Sequence, residues 1–107
     1  MFVCTANQHR SRTAEDLYRL DPRYEVRSAG TDVYEQDPSE QPVTGELIAW
    51  AELIFVMEQY HKDALEERFP GSSKKVVVLE VPDFYYRGDP ELVRLLEMRI
   101  SSHMRHA

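Results

Sequence analysis

A cysteine, an arginine and a serine near the start of the chain have a spacing that suits chemistry on a phosphoryl group. Cys4 follows the apolar pair Phe2-Val3, and Arg10 and Ser11 come six and seven residues after it. A thiol placed where backbone N–H groups turn into a helix lies in a positive potential, which favours the nucleophilic thiolate. An arginine in the same loop can bind two phosphate oxygens with its planar guanidinium. The spacing predicts that residues 4–11 form an anion-binding loop with a nucleophile.

Cys4 alone would not support this interpretation. A cysteine at the end of an apolar strand is more often a small buried core residue than a nucleophile. An arginine at this offset, followed by serine or threonine, arises by chance on the order of once in a hundred cysteines, taking average composition as the base rate. The remaining loop residues are predicted to bind the same phosphate: Thr5, Ala6, Asn7, Gln8 and His9.

Alternating strand and helix patterns would position this loop. Apolar runs at residues 53–57 and 76–79 are typical of parallel strands buried on both faces, and Tyr24, Val26 and Ser28 alternate as in a half-buried strand. Helices are predicted after the loop, after the capping residue Thr44, over residues 61–69 and from Pro90. The pattern predicts an α/β fold: a three-layer sandwich with a parallel sheet of about four strands, forming one domain over residues 1–107.

In such sheets the ligand crevice lies beyond the carboxyl ends of the strands. Cys4, the turn at Gly30, Glu58 and Asp83 each follow a predicted strand. We therefore expect these four positions at the same edge of the sheet.

The order of these segments resembles that in the low-molecular-weight protein tyrosine phosphatases, and most closely a compact bacterial branch of predicted members. The family loop has the form Cys-x-Gly-Asn-x-x-Arg-Ser-Pro, a Ser-Ala-Gly-Thr segment ends its second strand, and an Asp-Pro-Tyr-Tyr segment supplies a general acid. The similar segments here cover nearly the whole chain: residues 4–15, Ser28-Ala29-Gly30-Thr31, residues 51–57 and residues 81–86.

The resemblance implies a role for each matching residue. Cys4 would be the nucleophile, Arg10 would bind the phosphoryl group, and Asp83 would be the general acid. Asp89 competes with Asp83, but an aspartate before Pro90 is explained as the cap of a helix.

The other matching residues would support the site. The amide of Asn7 would brace the loop, and Ser11 would cap the helix or donate a hydrogen bond to the thiolate. Tyr85 and Tyr86 would line the cleft, unless these rings pack on the sheet instead.

Several positions depart from the family pattern. Ala6 replaces a glycine, which is costly if that position needs a positive φ. His9 stands where many members have a second cysteine, and Arg12 and Phe84 replace prolines. Residues 31–53 form a shorter span than in typical members, which predicts the loss of part of the cleft wall.

The function that follows is a metal-independent phosphomonoesterase without a cofactor, acting on a phosphorylated protein or a small aryl phosphate. The alternative is a non-catalytic module that binds phosphate or a phosphopeptide. Arsenate reduction passes electrons between cysteines, and this chain has one. A sulfurtransferase function would not explain the segment from Asp83 to Tyr86.

Composition excludes other classes of function. A net charge of −6 argues against a nucleic-acid partner, which needs clustered basic residues. The single cysteine and the spacing of His61, His103 and His106 do not suit a metal site. No apolar run approaches the ~20 residues that span a bilayer, so we expect no membrane partner and a cytoplasmic location.

Overall fold

The computed structural model describes residues 1–34 and 37–104. Strands and helices alternate within these ranges, and a 3-10 turn, Ser72–Lys75, precedes the last strand. The elements in chain order are β1 (Phe2–Cys4), α1 (Arg10–Arg19), β2 (Ser28–Gly30), α2 (Gly45–Trp50), β3 (Ile54–Val56), α3 (Gln59–Arg68), β4 (Val76–Val78) and α4 (Pro90–Met104).

The four strands form one parallel sheet in the order β2-β1-β3-β4. In this register Cys4 lies beside Gly30, and Val3 lies beside both Ala29 and Val56. Since β1 has a neighbour on each side, the loop that follows Cys4 leaves the middle of the sheet edge. The predicted α/β fold, with its parallel sheet and a loop after the first strand, is confirmed.

Successive residues of each strand face opposite sides of the sheet, and this alternation builds two apolar cores. Val3, Ile54 and Val56 pack with Leu47 and Leu65 on the side of α2 and α3. On the other side, the cluster contains residues of β1, β3, α1 and α4: Phe2, Cys4, Phe55, Ala14, Leu92, Leu96 and Ile100. The sheet is therefore covered by helices on both faces, which is why its central strands are continuously apolar.

Two predicted element boundaries differ from the structure. The strand predicted from Tyr24 begins only at Ser28, because the Tyr24 hydroxyl donates to the Met104 carbonyl and Val26 packs against the core on the α4 side. Their alternation reflects packing beside α4 rather than sheet pairing. The helix predicted over residues 61–69 begins earlier, at Gln59, because Glu58 forms its N-terminal cap.

Thr44 caps α2 as predicted, accepting a hydrogen bond from the Leu47 N–H.

In the described part of the chain, no helix has the length and apolar character needed to cross a bilayer.

Candidate active site

A cavity of about 400 Å³ opens at the carboxyl edge of the sheet, at the end of β1. It brings together most of the residues predicted for the site: Cys4, Thr5, Ala6, Gln8, His9, Arg10, Asp83, Tyr85 and Tyr86. Asn7 and Ser11 are buried and do not line the cavity. Residues that are up to 82 positions apart in the sequence therefore share one crevice, as the positions of the strand ends predict.

Cys4 is buried at the base of this cavity, and its Sγ lies 3.0 Å from the Ser11 Oγ. The amide Nδ2 of Asn7 donates to the same Ser11 Oγ at 2.9 Å. Because that bond uses a lone pair of the oxygen, the hydroxyl hydrogen of Ser11 can point at the sulfur. Ser11 lies inside α1, whose N-cap residue is His9, so the capping role considered for Ser11 is wrong.

Asn7 connects the loop to three other segments. Its φ of 57° is in the left-handed region, which asparagine tolerates better than most residues. The amide donates to Ser28 Oγ at 3.0 Å on β2, and its oxygen accepts the Gln41 N–H at 2.9 Å. Ala6, in contrast, is not among the described residues with positive φ. An alanine at this position, where the family has glycine, therefore causes no backbone strain.

The carbonyl groups of the loop are used by neighbouring segments. The carbonyls of Cys4 and Thr5 accept hydrogen bonds from the N–H groups of Thr31 and Asp32, at 3.0 and 2.8 Å. The His9 carbonyl accepts the Thr13 N–H at 2.9 Å. Among the described residues, no acceptor takes a hydrogen bond from the backbone N–H groups of residues 5–9. A run of such N–H groups at a helix N-terminus is a binding site for a phosphate-like anion.

Gly30 allows this loop to approach β2. A Cβ atom at residue 30 would lie 2.5 Å from the Thr5 carbonyl oxygen and 2.8 Å from the Asn7 nitrogen. Both neighbours are backbone atoms of the loop, so any side chain at residue 30 would displace it.

Arg10 is only 2% exposed although it lines the cavity. Its Nη1 donates to Glu58 Oε2 at 2.7 Å and to the Val81 carbonyl at 2.8 Å, and its Nε lies 3.8 Å from Asp83 Oδ1. Burial disfavours the charged guanidinium, but the hydrogen bond to Glu58 and the nearby charges of Cys4 and Asp83 favour it, and the pKa of Arg10 lies above its ordinary value. The cation is thus held in one orientation by partners on two strand ends.

The segment after β4 carries the predicted acid and the aromatic rings. Asp83 is 65% exposed, and the rings of Phe84 and Tyr86 are also exposed. Tyr86 contacts His9 edge-to-face, with 5.4 Å between ring centres, whereas Tyr85 packs against the core on the α4 side. Tyr86 is therefore available at the cavity mouth, and Tyr85 also has a structural role.

This segment is attached to α1 by polar contacts. The Arg87 guanidinium binds both carboxylate oxygens of Asp16 at 2.8 Å, and the Gly88 N–H donates to Thr13 Oγ1 at 3.0 Å. The Arg87 N–H also lies 3.3 Å from His9 Nδ1. His9 therefore joins the loop of residues 4–11 to the segment that carries Asp83.

Two residues of the shortened span that the sequence does not predict for the site, Tyr34 and Glu40, shape the cavity. Tyr34 lines it, and the buried Glu40 accepts hydrogen bonds from the Gln8 amide at 2.6 Å and from the Tyr34 N–H at 2.9 Å. No periodicity marks this polar stretch. The span thus retains part of the cleft wall that its shortness predicted to be missing.

The sequence also did not predict that the first turn of α3 contacts the loop after β1. His61 is fully buried, and its Nε2 lies 2.9 Å from Thr5 Oγ1. The Tyr60 hydroxyl lies 2.9 Å from the same oxygen. The position of Glu58 after a buried strand could have predicted this contact, because a helix that begins there places its first turn beside the crevice.

Within the described ranges, no group of three or more histidine, cysteine, aspartate or glutamate side chains is arranged to hold a metal ion. His106 lies outside these ranges.

Two phosphatases are among the solved structures to which this chain is similar. The YwlE arginine phosphatase from Geobacillus stearothermophilus matches with 26% identity and a TM-score of 0.75, covering 98% of this chain and 91% of that one. The tyrosine phosphatase Wzb from Escherichia coli K30, solved with phosphate, matches with 25% identity and a TM-score of 0.79, covering 98% and 94%. This chain has the fold of the low-molecular-weight tyrosine phosphatases.

A more distant match has the same fold over the same length. The low-molecular-weight protein tyrosine phosphatase from T. tengcongensis is 20% identical, with a TM-score of 0.80, and the match covers 99% of this chain and 97% of that one. No protein-family model matches the sequence, and no curated protein does. The resemblance of the sequence to the low-molecular-weight tyrosine phosphatases is confirmed by the similarity of the folds.

Proposed function

We propose that this protein is a metal-independent phosphomonoesterase of the tyrosine phosphatase type, with Cys4 as its nucleophile. One observation carries the proposal: the N–H groups of residues 5–9 have no acceptor among the described residues, and Thr5, Ala6, Gln8 and His9 line a cavity that Cys4 and Arg10 also line. A phosphoryl group bound there would have its charge distributed over fixed donors, which is how phosphoryl-transfer transition states are stabilised.

The first step transfers the phosphoryl group to the enzyme. The Cys4 thiolate attacks phosphorus, an S–P bond forms, and the bond from phosphorus to the leaving oxygen breaks. Protonated Asp83 gives its proton to that oxygen. Arg10 binds the equatorial oxygens, and its contacts with Glu58 and Val81 keep it in position.

The second step regenerates the enzyme. The Asp83 carboxylate takes a proton from water, the resulting nucleophile attacks phosphorus, and the S–P bond breaks to release inorganic phosphate. The Ser11 hydroxyl, 3.0 Å from the sulfur, stabilises the thiolate as it leaves.

The substrate class follows from the cavity mouth. The exposed rings of Tyr34, Phe84 and Tyr86 line it, and offset or edge contacts with an aryl group are worth about 1 kcal/mol. We therefore propose an aryl phosphate, free or as phosphotyrosine in a protein. The similarity to an arginine phosphatase makes phosphoarginine the most informative competing substrate.

The test is steady-state hydrolysis of phosphotyrosine, phosphoserine and phosphoarginine peptides by the wild-type protein and by Cys4→Ser. We expect wild-type turnover to be highest on phosphotyrosine and to be abolished in Cys4→Ser. Equal rates for the two proteins would refute the nucleophile. Absence of turnover together with tight vanadate binding would show that the protein is a phosphate-binding module instead.

A further inference from the structure

His61 is a fully buried ionisable residue that touches the phosphate-binding loop, and no step of the proposed reaction uses it. Its ring lies in the first turn of α3, with Nδ1 3.0 Å from the Glu58 N–H and Nε2 2.9 Å from Thr5 Oγ1. These two contacts determine which nitrogen carries the proton.

The Glu58 N–H is a donor, so His61 Nδ1 must be the acceptor and carries no hydrogen. The neutral imidazole then has its proton on Nε2 and donates it to Thr5 Oγ1. Burial, together with the nearby charge of Arg10, lowers the pKa of His61 to about 4, which keeps the ring neutral at physiological pH.

Thr5 is the first loop residue after the nucleophile, and hydrogen bonds hold both its carbonyl and its hydroxyl. Its carbonyl accepts the Asp32 N–H at 2.8 Å, and its hydroxyl contacts His61 and Tyr60. The Thr5 N–H lies in the same peptide plane as the Cys4 carbonyl, which accepts the Thr31 N–H at 3.0 Å. Because the Thr5 hydroxyl and carbonyl restrain the other side of this residue, the three bonds together fix the direction of the Thr5 N–H, one of the N–H groups without an acceptor in the described chain.

The same helical turn also holds Arg10. Glu58, the residue that caps α3 and orients His61, accepts the hydrogen bond from Arg10 Nη1 at 2.7 Å. The start of α3 therefore sets the position of both ends of the loop, Thr5 through His61 and Arg10 through Glu58.

We propose that His61 is a positioning residue for phosphoryl transfer: its Nε2–H holds the Thr5 hydroxyl, and so aligns the first loop N–H with the phosphoryl group. This inference rests on the proposed function for its role in catalysis. The alignment itself acts on any phosphate-like ligand of the loop, including vanadate.

The test compares His61→Gln with His61→Asn, each alone and combined with Thr5→Val. The amide nitrogen of glutamine can take the place of Nε2, whereas asparagine can replace only Nδ1 and cannot reach Thr5. We expect His61→Asn to lower kcat/KM about 10-fold and to weaken vanadate binding in parallel, as for loss of an outer-shell partner. His61→Gln should retain most of both. In the Thr5→Val background, the two substitutions should become equivalent.

Equal effects of glutamine and asparagine, or effects that add to that of Thr5→Val, would overturn the proposal. A second measurement, the ¹⁵N resonances of the wild-type imidazole, should place the proton on Nε2, and a proton on Nδ1 would refute the geometry. Vanadate affinity and the resonances need no turnover, so this test remains valid if the protein proves not to be a phosphatase. If the His61 variants do not fold, Thr5→Val alone should weaken vanadate binding and shift the Nε2–H resonance, and no change in either would refute the proposal.

Discussion

The sequence predicts the role of Arg10, and the structure shows which residues hold its side chain in place. Its distance from Cys4 in the loop predicts phosphate binding, but the partners that orient it are 48 and 71 residues away, on Glu58 and Val81. Local spacing could therefore identify the guanidinium. It could not predict what holds it, because those partners come together only when the sheet forms.

Replacing Arg10 with lysine tests its fork-shaped geometry. Arg10→Lys keeps the charge but cannot bind two phosphate oxygens in one plane, so we expect kcat/KM for an aryl phosphate to fall about 100-fold or more. Arg19→Lys, an exposed change on the same helix, is the matched control and should leave the rate unchanged. Near-wild-type activity of Arg10→Lys would mean that this arginine does not contact the phosphoryl group.

The choice between Asp83 and Asp89 as general acid can be decided by leaving-group dependence. Asp83→Asn should slow hydrolysis of esters with poor leaving groups much more than that of activated aryl esters, because an activated phenolate leaves without a proton. Asp89 Oδ1 accepts the Glu91 N–H at 2.9 Å at the start of α4, and asparagine can do the same. Asp89→Asn should therefore be silent. The reverse pattern would place the acid six residues later.

At the scale of elements, the predictions succeeded where burial is complete. The apolar runs at residues 53–57 and 76–79 contain β3 and β4, because strands buried on both faces leave little room for polar residues. Tyr24 and Val26 have a strand-like alternation but pack beside α4. Tyr34 and Glu40 lie in a stretch without periodicity, so nothing local indicated that they shape the cavity.

Gly30 provides a test of how β2 and the loop fit together. In Gly30→Ala the new methyl group would meet the Thr5 carbonyl, so we expect the free energy of unfolding to fall by about 1–3 kcal/mol and vanadate binding to weaken. In the control Gly45→Ala, the added carbon is 3.9 Å from Phe69, and we expect a gain of up to about 1 kcal/mol at the start of α2. Denaturant unfolding measures both. Full stability and full vanadate affinity in Gly30→Ala would contradict the close approach.

At the scale of the whole molecule, two cores on opposite faces of one sheet position every element around the crevice. β1 contributes to both cores, since Val3 faces α2 and α3 while Phe2 and Cys4 face α1 and α4. The sequence pattern predicted this sandwich. The polar network beneath the loop was not predictable, because it joins side chains from β1, α1, α3 and the span after β2.

The buried His61 should make stability depend on pH. Its pKa is lowered from 6.5 in the unfolded chain to about 4 in the folded protein, chiefly by burial. Between these values only the unfolded chain binds the proton, so stability is lost as pH falls through this window. At about 1.4 kcal/mol per pKa unit, the loss is on the order of 3 kcal/mol.

Denaturant unfolding at pH 7, 5 and 4 measures this loss, and His61→Gln is the matched control because it carries no titrating group. Carboxylates with lowered pKa values, such as Asp21, contribute equally to both proteins. The wild type should therefore lose more stability than the variant. Parallel curves would mean that His61 is not buried as a neutral ring.

If Cys4 is the nucleophile, it becomes covalently phosphorylated during turnover. Rapid quenching of the enzyme with an activated aryl phosphate, followed by mass analysis of the peptide that contains Cys4, measures this directly. We expect a phosphoryl group on Cys4 at the earliest times, a longer lifetime of this group in Asp83→Asn, and no release of the phenol by Cys4→Ser. Rapid phenol release without any phosphorylated Cys4 would contradict the assignment of Cys4 as the nucleophile.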